Sequence, residues 1–348
     1  MTPRSWRLLT IGFTVLFTLA ACNGAATSPT PATTPSPEAT EAAPSAASAE
    51  PSAEPTVAAP EISELTVGTL PIVDVAPVHV AIAQGLFEAE GLTVTPEVMQ
   101  GGAAAIPALQ GGDLDIAFGA WPSFLIANQA GIELRAVADG VAGVEGFTQF
   151  LTKPDSGLEG NPAGLSGKTV ALNTLGNVGE LALRYLVRVA GVDYSDVTPI
   201  ELPFPEMGAA LDGGSVDVIW SVEPGATANK ATLGAVVVAE SYIGDLARFP
   251  VAGYFVTREF AEQNPNTVAA FRRALEAAAQ MINDDQQVVV DVVPTYTTLP
   301  AELAAQLSYP EYHGALDASV LQRVYDTLLE FEMIETGLDV GSLVLAAN

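Results

Sequence analysis

The 348-residue sequence is poor in cysteine, histidine and positive charge. Cys22 is the lone cysteine, which excludes an internal disulfide and any cysteine-based metal site. His79 and His313 are the only histidines, too few to suggest a metal or nucleophile constellation. Thirteen Lys and Arg face 41 Asp and Glu, a formal net charge of -28. A surface that acidic repels phosphate backbones and anionic head groups, so nucleic acid is not an expected partner and no electrostatic grip on a membrane is expected. No glycine-rich loop carrying a lysine follows a strand, so ATP hydrolysis would belong to another chain.

Long apolar runs are also scarce. The one near the N-terminus, Leu8 to Leu19, is too short for a comfortable membrane span and follows Arg4 and Arg7, the layout of a secretory leader over residues 1–21. It ends in Leu19, Ala20, Ala21 and Cys22, which resembles a bacterial lipobox, so Cys22 is the expected lipidation site and membrane anchor. Residues 22–60 are Ala, Pro, Ser, Thr and Glu with little to bury, and read as a disordered linker. About 40 such residues span roughly 35 Å as a coil and up to about 120 Å as extended polyproline. Four acids (Glu38, Glu41, Glu50, Glu54) lie in the linker and two bases in the leader, so 37 acids and 11 bases, net -26, fall on Glu61 onward. The acidity belongs to the folded body.

That body is 49% apolar over the whole chain and long enough for two lobes. Glu64 to Leu70 alternates like a strand, Pro77 to Ala89 has helical spacing with proline in its first turn, Gly91 stops it, and Leu92 to Val98 returns as a strand. A helix over Ala103 to Gln110 and a strand over Leu114 to Phe118 follow. The same order recurs: strand Lys168–Asn173, helix Val178–Ala190, strand Val197–Leu202, helix Met207–Asp212, strand Val216–Trp220. The repeat is plainest in "ALQGGDLDIAFGAWP" (Ala108–Pro122) and "ALDGGSVDVIWSVEP" (Ala210–Pro224), offset by 102 residues. The paired glycines read as helix stops, and Asp115 and Asp217 as carboxylates satisfying nearby backbone N–H groups, with ligand contact as the other reading.

"APVHVAIAQGLFEAEGLTV", "ALQGGDLDIAF", "LSGKTVAL" and "ALDGGSVDVIWSVEP" together resemble the solute-binding proteins of ABC importers for nitrate, sulfonates, taurine and thiamine-pyrimidine compounds. The resemblance runs from about Leu65 to the C-terminus. It implies an α/β, two-lobed type II periplasmic-binding-protein fold, each lobe a central sheet flanked by helices, closing on a two-crossing hinge. Phe147–Thr152 and Val251–Glu259 would be the crossings, giving lobe 1 as 61–152 plus 250–348 and lobe 2 as 153–249. Helices over Pro265–Asn283, Ala301–Leu307 and Leu316–Phe331 would pack on lobe 1.

Ligands of open α/β sheets bind at the carboxyl ends of strands. The expected ligand-binding positions are therefore Pro71 and Asp74 after the first strand, Trp121 and Ser123 in a loop after the third, Asn173, Thr174 and Asn177, then Ser221 and Glu223, with Tyr254 near the return crossing. Trp121, beside a proline, is either an aromatic wall or core, and as a wall its change to Ala would weaken binding without unfolding the chain. Trp220, inside a strand, reads as core. Asn173 and Asn177 bracket a helix start and read equally as caps or as ligand groups. None of these loops holds Lys or Arg, while Asp74 and Glu223 suit a cation or the N–H groups of a heterocycle. The expected function is an extracytoplasmic lipoprotein on the cell membrane that passes a small organic solute, a vitamin or pyrimidine-type heterocycle or a sulfonate, taurine or nitrate-type ion, to an ABC permease and its ATPase. It would act as a monomer without a cofactor and without covalent chemistry. A ligand-sensing or scaffolding lipoprotein, or a pyrimidine-synthesis enzyme of the same superfamily, are the other readings.

Overall fold

Two α/β halves, joined twice, make up the body of the computed structural model, which describes residues 58–345; the leader, Cys22 and nearly all of the linker lie outside the described residues. The first half begins β1 (Glu64–Thr69), α1 (Ala76–Ala83), α2 (Leu86–Ala89), β2 (Thr93–Val98), α3 (Gly102–Gly111), β3 (Ile116–Ala120), α4 (Trp121–Gln129) and β4 (Leu134–Ala142). The second holds β5 (Thr148–Thr152), β6 (Thr169–Leu172), α5 (Val178–Val189), β7 (Thr198–Glu201), α6 (Phe204–Gly213), β8 (Val218–Val222), α7 (Gly225–Leu233) and β9 (Val236–Glu240). The chain then returns through β10 (Pro250–Thr257) to α8 (Arg258–Gln263), α9 (Pro265–Asp284), α10 (Gln287–Tyr296), α11 (Ala301–Ala304), β11 (Glu311–Tyr312) and α12 (Ala318–Glu330). Among the described residues no helix is long and apolar enough to cross a membrane.

The strand orders are β11-β4-β10-β3-β1-β2 and β7-β6-β8-β5-β9. In each half the first strand pairs in parallel with the second and the third, and the third then meets an antiparallel strand: β10 in one sheet, β5 in the other. Each antiparallel strand follows directly on the opposite half, so each half is stitched to its partner by the strand it receives. This moves the expected boundary: β5 pairs with β8 and β9, so Thr148–Thr152 belongs to the second half and the crossing precedes it, at Gly143–Phe147. The strands β4, β9 and β11 and the helices α7, α8 and α10 are not among the elements expected from sequence.

The repeat has a mechanical meaning. Gly112 and Gly214 cap α3 and α6 in the left-handed conformation, at φ 79 and φ 73, which glycine adopts without a Cβ penalty. Asp115 Oδ2 accepts the Thr66 N–H at 2.7 Å, and Asp217 Oδ2 accepts the Thr169 N–H at 2.9 Å. The two carboxylates therefore clasp the start of the neighbouring parallel strand, a long-range bond in place of the local turn chemistry expected.

Two local expectations change. The single helix over Pro77–Ala89 is broken at Gly85, left-handed at φ 68. The loop expected at Trp121–Ser123 is instead the first turn of α4, with Pro122 in the first turn, where its missing N–H costs nothing. Of the helices expected on lobe 1, α9 packs on α1, α2 and β4, and α12 on α4 and β10.

Candidate ligand-binding site

Strand alternation builds the site. Phe118 and Ala120 of β3 and Trp220 and Val222 of β8 are equivalent under the 102-residue offset, and all four line one cavity between the two halves. With a period of two, every second side chain near the end of each third strand faces the opposite half. The segments that follow the first strands add to it: Asp74, two residues before α1, and Asn177, which caps α5, both line the same cavity. The space measures about 450 Å³ with its open mouth included.

Contacts across the cleft hold the halves together. Val73 N–H donates to the Glu223 carbonyl at 3.1 Å, and Ser123 Oγ donates to the Gly176 carbonyl at 3.1 Å. A Cβ placed on Gly101, from the first half, would lie 2.9 Å from Thr174 Cγ2 and 3.3 Å from Asn173 Nδ2, in the second. The cavity is thus closed over by atoms of both halves.

Asn177 is occupied as a helix cap. Its Oδ1 accepts the Gly179 and Glu180 N–H groups at 2.9 and 3.1 Å, while its Nδ2 donates to Asn173 Oδ1 at 2.6 Å. Gly176 N–H donates to Glu180 Oε2 at 2.8 Å. The N-terminus of α5 therefore has its leading donors satisfied internally, and the Asn173 amide, oriented by its bond to Asn177, lines the cavity.

Asp74 is the charged residue on the cavity wall and is 3% exposed. Its Oδ1 has no hydrogen-bond partner. Burial pushes its carboxyl up to about 7, because a desolvated site disfavours the ionised form. Four phenols, Tyr242, Tyr254, Tyr296 and Tyr312, lie close enough to Asp74 for its negative charge to raise them further, on top of the burial that dominates each shift. Tyr312 donates to the Val73 carbonyl at 2.9 Å, whereas the Tyr242, Tyr254 and Tyr296 hydroxyls have no partner. Thr148 Oγ1 has none either; it is near enough to the Tyr242 hydroxyl to lower that phenol's pKa but outside hydrogen-bonding geometry.

The ten positions expected from sequence separate into three groups. Asp74, Ser123, Asn173, Thr174 and Asn177 stand on the cavity wall. Pro71 and Ser221 lie in an adjoining groove of about 700 Å³ that shares Ile72, Phe204 and Val222 with the cavity. Trp121, Glu223 and Tyr254 are in the interior. Glu223 is 1% exposed and accepts the Thr227 N–H and Oγ1–H at 2.9 and 2.8 Å, so it braces the first turn of α7; burial raises its carboxyl. Tyr254 packs edge-on against Phe118 and Phe271.

Trp121 is the main correction. It is fully buried, with its indole N–H donating to Asp139 Oδ1 at 3.2 Å and its ring lying over Gly253, where a Cβ would come within 2.1 Å of the indole Cζ2. Asp139 in turn meets His313 Nδ1 at 2.9 Å, a bond that raises the imidazole pKa. The aromatic wall is Trp220 instead, whose N–H donates to Ser241 Oγ at 3.1 Å and whose ring leans on Gly179. Thr148 and Tyr242 were also missed. Thr148 opens β5 directly after one crossing and Tyr242 lies in the other, packed so tightly on Gly143 that a Cβ there would come within 2.2 Å of its ring. The offset between Phe118 and Trp220 was the signal that would have found the wall.

The profile of the NMT1-like family matches residues 58–293. The alkanesulfonate-binding protein SsuA of Xanthomonas axonopodis pv. citri, bound to MOPS, superposes with a TM-score of 0.70 at 21% identity, covering 82% of this chain and 99% of that one. The periplasmic nitrate-binding protein NrtA of Synechocystis PCC 6803 gives a TM-score of 0.70 at 16% identity, covering 82% and 86%. At these identities the likeness establishes the fold, a periplasmic-binding-protein architecture. YtlA of Bacillus subtilis (strain 168), named as a binding protein, is 23% identical over 218 residues, 60% of this chain; the match spans 63% of that relative's length.

Proposed function

The chain belongs to the NMT1-like family, and on that premise we propose that it is the solute-capturing component of an ABC importer. One observation carries the reading: a cavity walled by equivalent residues of both halves and closed by bonds between them, Val73 to Glu223 and Ser123 to Gly176. A ligand that bridges Asp74 in one half and Asn173 in the other favours the closed arrangement over an open one, and that difference in affinity drives closure. The two crossings, Gly143–Phe147 and Ser241–Phe249, are the segments about which the halves would swing. A permease that recognises the closed form would then take delivery of the solute. Cys22 would be lipidated and hold the body outside the membrane on its linker.

Relatives of the same fold are named for alkanesulfonate and nitrate, which makes sulfonates and nitrate the first solutes to test, with taurine, thiamine pyrimidines, riboflavin and polyamines beside them. The experiment is a thermal-melt panel on the full chain in detergent. Saturation at a hundred times the dissociation constant adds about 2.7 kcal/mol, a rise of roughly 4 °C for a unit of this size. A rise with one chemical class supports solute capture, and no rise with any of them counts against it.

A further inference from the structure

Among the described residues, the buried side-chain oxygens without a hydrogen-bond partner are Asp74 Oδ1, Thr148 Oγ1 and the hydroxyls of Tyr242, Tyr254 and Tyr296. They gather in one place. Asp74, Thr148 and Tyr242 line the cavity, and Tyr254 and Tyr296 stand within electrostatic reach of Asp74. Buried polar groups are ordinarily paired, and each one left unpaired costs about 1–3 kcal/mol, more for a carboxylate. Such a concentration at a cavity wall is what a polar ligand would relieve.

The sign of that ligand follows from what else is there. None of the described residues lining the cavity is Lys, Arg or His. The first donors of α5 are taken by Asn177 and Glu180, and Pro122 removes one N–H from the first turn of α4. An anion would find hydroxyl and amide donors, those of Thr148, Tyr242 and Asn173, but no cationic side chain, and it would sit beside the Asp74 carboxylate. A cation would find that carboxylate, the Thr148 and Tyr242 hydroxyl oxygens as acceptors, and the aromatic faces of Phe118, Phe147 and Trp220.

Resting on the solute-binding reading above, we propose that the cavity takes a small organic cation with N–H donors, its charged head seated on Asp74 and capped by the Thr148 and Tyr242 hydroxyls. A sulfonate or nitrate is disfavoured there by the Asp74 carboxylate, which no cationic side chain on the wall offsets. The specificity determinant is then one side chain, since Asn177 on the opposite wall is neutral and committed to capping α5.

The test is calorimetric titration of the full chain in detergent with benzamidine and methylguanidine, which stay charged between pH 5 and 8, against methanesulfonate and nitrate. At pH 8 an amidinium or guanidinium probe binds, and Asp74→Asn weakens it by about 100-fold or more, since it removes one partner of a buried charge pair. A second measurement needs no variant: affinity of the wild type falls roughly tenfold per pH unit below about 7, as protons compete for the carboxylate. The phenols facing Asp74 do not titrate in that range; His79 stacked on Tyr296, His313 on Asp139 and Glu223 on Thr227 are the other titratable groups on the surrounding elements. Binding of an anion, cation binding indifferent to both Asp74→Asn and pH, or silence of both cationic probes overturns the assignment. The solute-binding reading is judged separately, by the broader panel above.

Discussion

Ser123 Oγ donates to the Gly176 carbonyl at 3.1 Å, joining the first turn of α4 in one half to the loop before α5 in the other. Because it joins the two halves, opening the cleft would break it, so on the proposed closure it contributes to ligand affinity more than to folding. Net hydrogen bonds of this kind are worth about 0.5–1.5 kcal/mol. Ser123→Ala should weaken binding of whichever solute the panel identifies by roughly two- to tenfold, with the melting temperature of the ligand-free protein unchanged within error. Unaltered affinity by calorimetry would remove the bond from the closure mechanism.

Gly101 offers a cleaner way to hold the cleft open. Its φ of 173 is ordinary extended backbone, so a larger residue meets no local strain there. What it meets is the other half, with Thr174 Cγ2 2.9 Å from the first added carbon. Gly101→Val is expected to keep the fold and stability, enlarge the radius of gyration in X-ray scattering, and abolish ligand-induced compaction. A variant as compact as the wild type would refute the closed contact.

Trp121 and Gly253 should behave as a stability pair. Removing a fully buried indole costs about 3–5 kcal/mol, and here it also takes one donor from Asp139, which keeps His313 and the Gly140 N–H. Trp121→Ala should therefore lower the urea midpoint sharply, the opposite of the sequence expectation that it would affect binding alone. Gly253→Ala should do likewise by driving a methyl into the ring. Trp220→Ala, by contrast, should reduce ligand affinity, because that ring lines the cavity. Full stability of Trp121→Ala in a urea titration would sink the placement.

The Asp74 carboxyl predicts how stability varies with pH. Its folded pKa of about 7 lies above the ordinary value of 3.8, so the folded state holds a proton that the unfolded chain has released. That contribution is fully present below pH 3.8 and is lost as pH rises through 7. Each unit of pKa shift is worth 1.36 kcal/mol, so the total is on the order of 4 kcal/mol. Ligand-free wild type should thus lose stability from pH 4 to 7 relative to Asp74→Asn, whose difference curve should plateau above pH 7. Parallel curves for the two proteins in chemical denaturation would exclude the shift. His313, raised by Asp139, acts in the same sense, so the comparison has to be made between proteins that both retain it.

Much of the architecture could be read along the chain because it is written twice. Alternation and helical spacing, with glycine stops such as Gly112 and Gly214, locate the elements of both halves, since these are short-range constraints on φ, ψ and burial. They also place Asp74, Asn173, Thr174 and Asn177 near strand ends, where the structure finds them on one wall. Pairing partners are another matter. That β5 leaves the first half and inserts beside β8 depends on long-range hydrogen bonds that no local pattern encodes.

The sequence by itself determined the repeated α/β units and their acidity, because composition and periodicity act locally. Tertiary structure decided which aromatic faces the cavity. Sequence context pointed the other way, since Trp121 stands beside a proline after a strand and Trp220 inside one. Gly253 and Asp139 give the first a slot and a partner in the core, whereas the alternation of β8 turns the second toward the opposite half. The meeting of Asp74 with Thr148 and Tyr242 was likewise settled only when the two crossings came together, because residues distant in sequence become a site through the packing of the two halves.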